Sequence, residues 1–175
     1  MTKTKDKPKE VILNWIGEIK EDKLGKIIEQ IQQALKKNKK ATFKMYLQSG
    51  GGQSETGLAF YKWVKLNKID LTVVGLSMIA SSATVVFLSG KKRICTSETY
   101  FLFHRIQWQL TNKQSGPYDM EESVELMNMQ KKQFEALYKK MNFSEQELQK
   151  ITREGIIFTA EEARERGIVD EIIEI

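Results

Sequence analysis

Two hydrophobic periods alternate along this chain. Apolar runs at 11–15, 42–47 and 71–76 have the length and composition of short strands, and each leads into a segment of different spacing. Leu24, Ile27, Ile28, Ile31 and Leu35 recur every three or four positions, which predicts an amphipathic helix. A second helix is predicted over 55–66, with Phe60, Tyr61 and Trp63 placed to pack on a sheet. The third unit runs from 69 to 90: a strand, Ser81 at the corner, and an apolar helical run at 83–88 that ends at Gly90. Further strands are predicted at 93–96 and 100–103. A polar stretch at 106–117 follows, broken by Gly116-Pro117.

The next element is a long helix over 120–140 carrying Val124, Met127, Phe134 and Leu137 near one face. Lys131 interrupts that stripe, so part of the helix is expected to project. Ser144 with Glu147 and Thr159 with Glu162 read as capping boxes at two helix starts. Gly167 closes the last helix, and 168–175 supplies a final strand. Alternating strands and helices predict a layered α/β domain with a largely parallel sheet. No repeat or linker interrupts it, so the expected organisation is a charged flexible tail at 1–10 and a single domain at 11–175.

Composition narrows the class. With 175 residues, 41% hydrophobic and 29% charged, the chain can bury one substantial core. The longest apolar stretch, around 79–88, is interrupted by Ser81, Ser82 and Thr84, too polar and too short for a membrane span. The first ten residues alternate Lys with acidic groups and hold no apolar leader segment, so a cytoplasmic location is expected. One cysteine, Cys95, excludes an internal disulfide. It has no clustered Cys or His to make a metal site, so neither metal nor cofactor is expected. The net charge of +5 comes from lysines scattered among acids, which reads as solvated faces and not as a nucleic-acid stripe.

The chemistry concentrates in three places. Ser81 stands at a strand-to-helix corner; His104, the only histidine, ends a strand; and Ser49-Gly50-Gly51-Gly52 offers backbone amides. An alcohol needs a base to act as a nucleophile, and a tetrahedral oxyanion needs donors, so together these are the parts of serine acyl transfer. Each also has a plainer reading. Ser81 would serve as a helix cap, the glycines as a turn, and the histidine as a structural residue.

Taken in order, these residues resemble the Clp protease proteolytic-subunit family of serine peptidases. The resemblance rests on Ser49-Gly50-Gly51-Gly52 through Gly57, Ala80-Ser81-Ser82-Ala83 to Gly90, Lys92-Arg93, His104, and Thr159-Ala160-Glu161-Glu162-Ala163 to Gly167-Ile168-Val169-Asp170. It implies a Clp/crotonase-like crossover fold of repeated strand-turn-helix units with a projecting long helix. Ser81 would be the nucleophile and His104 the base, while the amides of Gly52 and Ser82 would hold the oxyanion and Gly51 would line the substrate site. The implied activity is cleavage of peptides or unfolded polypeptides through an acyl-enzyme, inside a chamber of homo-oligomeric rings.

The chain departs from that pattern at four points. The aspartate of the family's triad falls on Gly155, so Glu154 is the expected substitute for orienting His104. Gly50 replaces a proline and should loosen the loop. Ser77 replaces a turn glycine where positive φ would be awkward, and Arg105-Ile106 replaces Gln-Pro after the histidine. Only the charged segment 1–10 precedes the first strand, which leaves an ATPase partner open. Two other functions compete: a non-catalytic or weakly active ring subunit, and a crotonase-type enzyme acting on acyl-CoA thioesters.

Overall fold

The computed structural model describes residues 10–105 and 116–175, with the side chain of residue 117 left aside. The expected tail, except Glu10, which opens the first strand, and most of the polar stretch before the long helix lie outside the described residues. The elements run β1 (Glu10–Ile16), α1 (Glu21–Lys37), β2 (Thr42–Ser49), α2 (Ser54–Leu66), β3 (Leu71–Ala80), α3 (Ser82–Leu88), β4 (Lys92–Thr96) and β5 (Tyr100–Phe103). Then follow α4 (Pro117–Tyr138), α5 (Glu145–Arg153), β6 (Ile156–Phe158), α6 (Ala160–Glu165) and β7 (Glu171–Ile173).

Parallel pairing orders the main sheet β1-β2-β3-β4-β7. One face of it carries the core. Leu13, Trp15, Phe43, Met45, Leu47, Leu71 and Val73 alternate inward and are buried against Ile27, Ile31, Phe60 and Val64 of the helices. The helix α3 is buried along its whole length, packed beside α2 and against the sheet. Gly57 permits that approach, because a Cβ there would lie 2.9 Å from Ser82 O.

The decisive feature is that β3 is longer than its apolar run suggests and serves two partners along the edge away from β2. Its first half pairs with β4, from Thr72↔Lys92 to Gly75↔Cys95. Its last residues pair with β5: Met78↔Tyr100, Ile79↔Phe101 and Ala80↔Leu102. Ser77 lies within β3, where the pairing with β2 jumps from Leu47↔Gly75 to Ser49↔Ile79, and it is not among the positive-φ residues, so no glycine is needed there. The sheet branches at this point. β6, which hydrophobic periodicity did not reveal, adds antiparallel to β5, and β7 is only three residues long because Ile168 and Val169 enter the core as loop residues.

The long helix starts earlier than its apolar stripe. Gly116 precedes Pro117 at the first helical position, where proline is tolerated, and Asp119 Oδ2 accepts from Gly116 N at 2.8 Å. Its C-terminal end is anchored by Phe134, Leu137 and Tyr138. Phe103, Tyr138, Phe143 and Phe158 form an aromatic cluster there, with Phe103 edge-on to Tyr138 at 5.2 Å and to Phe143 at 5.4 Å. The N-terminal half leaves Tyr118, Met120, Val124, Leu126 and Met129 exposed. Both capping boxes form as expected, and Gly167 takes φ +67 after α6. Cys95 is fully buried, and burial pushes its thiol up to about 11. Among the described residues no helix is long and apolar enough to cross a membrane, and no cluster of His, Cys, Asp or Glu could hold a metal ion.

Candidate active site

Ser81 occupies a strained corner. Its backbone has φ 55 and ψ −131, a conformation that costs about 1–3 kcal/mol in a non-glycine residue and persists only where its surroundings impose it. The surroundings here are β3 on one side and the buried α3 on the other. Ser81 N donates to Leu102 O at 2.9 Å, extending the β3–β5 pairing one residue past the strand. The side chain does not cap α3; Thr84 closes the turn instead, its N and Oγ1 donating to Ser81 O at 2.9 and 2.7 Å. The hydroxyl is thereby left available, which removes the simple capping explanation.

The same register delivers His104. Ala80 faces Leu102, so Ser81 leaves β3 beside Phe103, the last residue of β5, which His104 follows. No hydrogen bond joins Ser81 Oγ to the imidazole in this structure. Such contacts are often long before substrate binds. His104 is half-buried and lines a cleft of about 370 Å³ with Phe134, Tyr138, Leu148 and Ile151 of α4 and α5.

The glycine loop closes the third side. Gly51 has φ +104, and a Cβ on it would lie 2.6 Å from Ser81 Cβ and 3.2 Å from Ser81 Oγ, so only glycine allows this approach to the hydroxyl. Gly52 has φ +146, and its own Cβ would strike Ile19 O. Ile19 N donates to Gly51 O at 2.8 Å and Gln53 N to Ile19 O at 2.9 Å. That bridging leaves the Gly52 N–H without a partner. The Ser82 N–H, at the start of α3, is likewise free, as first-turn amides are unless something outside the helix accepts from them. Ser82 Oγ is the one buried side-chain polar atom without a hydrogen bond among the described residues.

Glu154 is not brought to the imidazole. It is the exposed C-cap residue of α5, and its carboxylate makes no hydrogen bond or ion pair among the described residues. The reason is positional: the chain turns at Gly155, with φ +96, and the Gly155 backbone packs on the histidine instead. A Cβ on Gly155 would lie 3.1 Å from His104 Cβ and 3.2 Å from Phe103 O. The ring's Nδ1 lies 2.6 Å from Arg105 O, and Arg105 Nη1 donates to Arg153 O at 3.2 Å. No motif in the sequence marks these backbone acceptors. The substitution of Arg105 was the only visible sign.

The basic pair of the motif has a structural role. Arg93 donates from Nη2 to Asp170 Oδ1 at 2.6 Å, from Nε to Asp170 Oδ2 at 3.1 Å, and from Nη1 to Gly167 O at 2.9 Å. It fastens the segment after α6 to β4, some way from the reacting groups.

Repeated parallel crossovers, a branched sheet and a serine at its branch define the class: this is the Clp/crotonase-like fold. A solved ClpP1 mutant from Listeria monocytogenes superimposes with a TM-score of 0.75, covering 94% of this chain and 91% of that one at 22% identity, which supports the fold. The chain belongs to the Clp protease family, whose sequence model matches residues 4–175. It is 29% identical over 163 residues to the ATP-dependent Clp protease proteolytic subunit 2 of Bifidobacterium longum, covering 91% of this chain and 77% of that protein. It is 30% identical over 132 residues to proteolytic subunit 1 of Corynebacterium diphtheriae, covering 74% and 63%.

Proposed function

We propose that this protein is a serine peptidase that cleaves peptides or unfolded polypeptides through an acyl-enzyme on Ser81. The observation that carries the reading is the strained corner. Ser81 holds φ 55 with an unengaged hydroxyl at the end of β3, beside the end of β5, which His104 follows. In the proposed reaction His104 takes the hydroxyl proton as Oγ bonds to the scissile carbonyl carbon. The carbonyl oxygen becomes an oxyanion facing the free amides of Gly52 and Ser82. The carbon–nitrogen bond then breaks, and the imidazolium returns the proton to the leaving amine. Water, deprotonated by the same imidazole, then bonds to the acyl carbon; the carbon–Oγ bond breaks, the acid leaves, and the imidazolium returns its proton to Ser81 Oγ.

The cleft beside His104 has an apolar part, Met127, Phe134, Leu148 and Ile151, that suits a hydrophobic side chain of the substrate, bordered by the polar Asn128, Lys131 and Glu135. Access would be restricted by assembly: the exposed Met120, Val124, Leu126 and Met129 of α4 present an apolar surface that a second copy would cover, giving homo-oligomeric rings around a chamber. A buried, unpaired cysteine is compatible with a reducing compartment, and the proposal places the activity in the cytoplasm. An ATPase partner forms no part of it.

A fluorophosphonate probe tests the reading. Wild-type protein should label at one site and Ser81→Ala should not. Labelling that persists in Ser81→Ala would refute it. An unlabelled wild type would favour the second reading, a non-catalytic ring subunit, which the absence of a carboxylate at Gly155 supports.

A further inference from the structure

The site as described lacks a carboxylate on His104, yet the imidazole is not unsupported. We propose that Arg105 is the positioning residue of this active site: its carbonyl oxygen accepts the Nδ1 proton of His104, and its guanidinium fixes that carbonyl by holding the end of α5. The inference rests on the reading of His104 as the base. A carbonyl oxygen can only accept, so the ring nitrogen 2.6 Å away must carry the hydrogen. Nε2 is then left with its lone pair, the form required to take the Ser81 proton, since the bond made by one ring nitrogen sets the state of the other.

Three further observations support the assignment. Arg105 Nη1 donates at 3.2 Å to Arg153 O, one of the last carbonyls of α5, which intrahelical bonds leave unsatisfied. The side chain and the carbonyl of one residue thus tie the histidine to a helix end. Second, the chain turns at Gly155 with φ +96, a conformation strained for any side chain, and a Cβ there would lie 3.1 Å from His104 Cβ, so an acid at that place would have to displace the histidine slightly. Third, Glu154 is exposed and unengaged, while Glu135, which shares the cleft with His104, lies on α4 within 3.8 Å of Lys131. A neutral carbonyl orients the ring as an acid would. It supplies less charge to the imidazolium that forms on Ser81 attack, so a turnover slower than that of a full triad follows.

His104 is the only histidine, so ¹⁵N-histidine labelling of the full chain gives one imidazole and an unambiguous spectrum. At a pH where the ring is neutral, the wild type should show a protonated Nδ1 and an unprotonated Nε2. Arg105→Ala should lose that preference and slow fluorophosphonate labelling about 10- to 100-fold, the range expected when a reacting group is misplaced. Arg105→Lys should recover part of both. Glu154→Gln and Glu135→Gln should leave the imidazole spectrum unchanged. Arg105 is exposed, so these variants should fold, which circular dichroism checks. A wild-type ring protonated on Nε2, an unchanged tautomer in Arg105→Ala, or a shift in either glutamine variant overturns the proposal. The tautomer is read without turnover, so its failure is distinct from failure of the peptidase reading, which Ser81→Ala labelling decides.

Discussion

At the scale of single residues, the strain at the serine corner has consequences that can be measured. Gly51→Ala would place a methyl 2.6 Å from Ser81 Cβ at a φ of +104, so it should destabilise by about 1–3 kcal/mol and depress fluorophosphonate labelling. Urea denaturation alongside labelling checks both. Ser82→Ala should act in the opposite direction on stability, because it removes a buried hydroxyl that has no partner and keeps the backbone amide. A gain of about 1 kcal/mol in the same titration is expected. Cys95 should resist thiol reagents at pH 8 until the protein is unfolded, since burial holds the thiol near 11. Because that value is raised above the ordinary 9.0, the folded state keeps a proton that the unfolded chain sheds, and stability should fall as pH rises between the two.

At the scale of elements, the C-terminal third is held by a few charged contacts over the aromatic cluster. Arg93→Ala would remove the side-chain donors of Asp170 and Gly167 O, leaving Asp170 Oδ2 only the backbone N–H of residue 93, and should cost about 2 kcal/mol, read from the denaturant midpoint. Arg166 joins α5 to α6 by donating to Glu147 Oε1 from Nε at 2.8 Å and from Nη2 at 2.6 Å, while its guanidinium lies 4.5 Å from the Phe158 ring centre. Burial works against the Glu147 charge, but its bonds to Ser144 and Arg166 prevail and lower the carboxyl below 4.5. The depressed value means a contribution present above pH 4.5 and lost as pH falls below it. Glu147→Gln should therefore show a flatter acid limb in a pH series of thermal melts. Both capping boxes were readable because serine or threonine and a glutamate three residues later satisfy each other locally. β6 was not, because Ile156, Ile157 and Phe158 become a strand only by pairing with β5.

For the whole molecule, the expected outcome is assembly. Light scattering behind size exclusion should give a multiple of the 20.3 kDa chain mass, and Val124→Glu with Met129→Glu should reduce it to one chain. Circular dichroism should stay unchanged, since both side chains face outward on the projecting half of α4. A wild-type monomer at micromolar concentration would contradict the ring. The reason for expecting one is that α4 spends its anchoring residues Phe134, Leu137 and Tyr138 at its far end and leaves the near end uncovered.

The sequence by itself determined the crossover units and the residues at their corners. Strand and helix periods are local properties, and a serine between two apolar runs or a glycine cluster after a strand can be read without any partner. The positions of Ser81, His104, Gly51 and Gly52 were legible for that reason. Tertiary structure alone decided what connects them. The change of partner along β3, from β4 to β5, is a matter of pairing between segments distant in the chain, and it is this that sets the end of β3, where Ser81 stands, beside the end of β5, which His104 follows. The support of the imidazole was hidden for a similar reason. Proximity in sequence suggested Glu154, but the chain turns at Gly155 beside the Cα and Cβ of His104 and leaves that carboxylate exposed, while the Arg105 carbonyl is the acceptor of the ring.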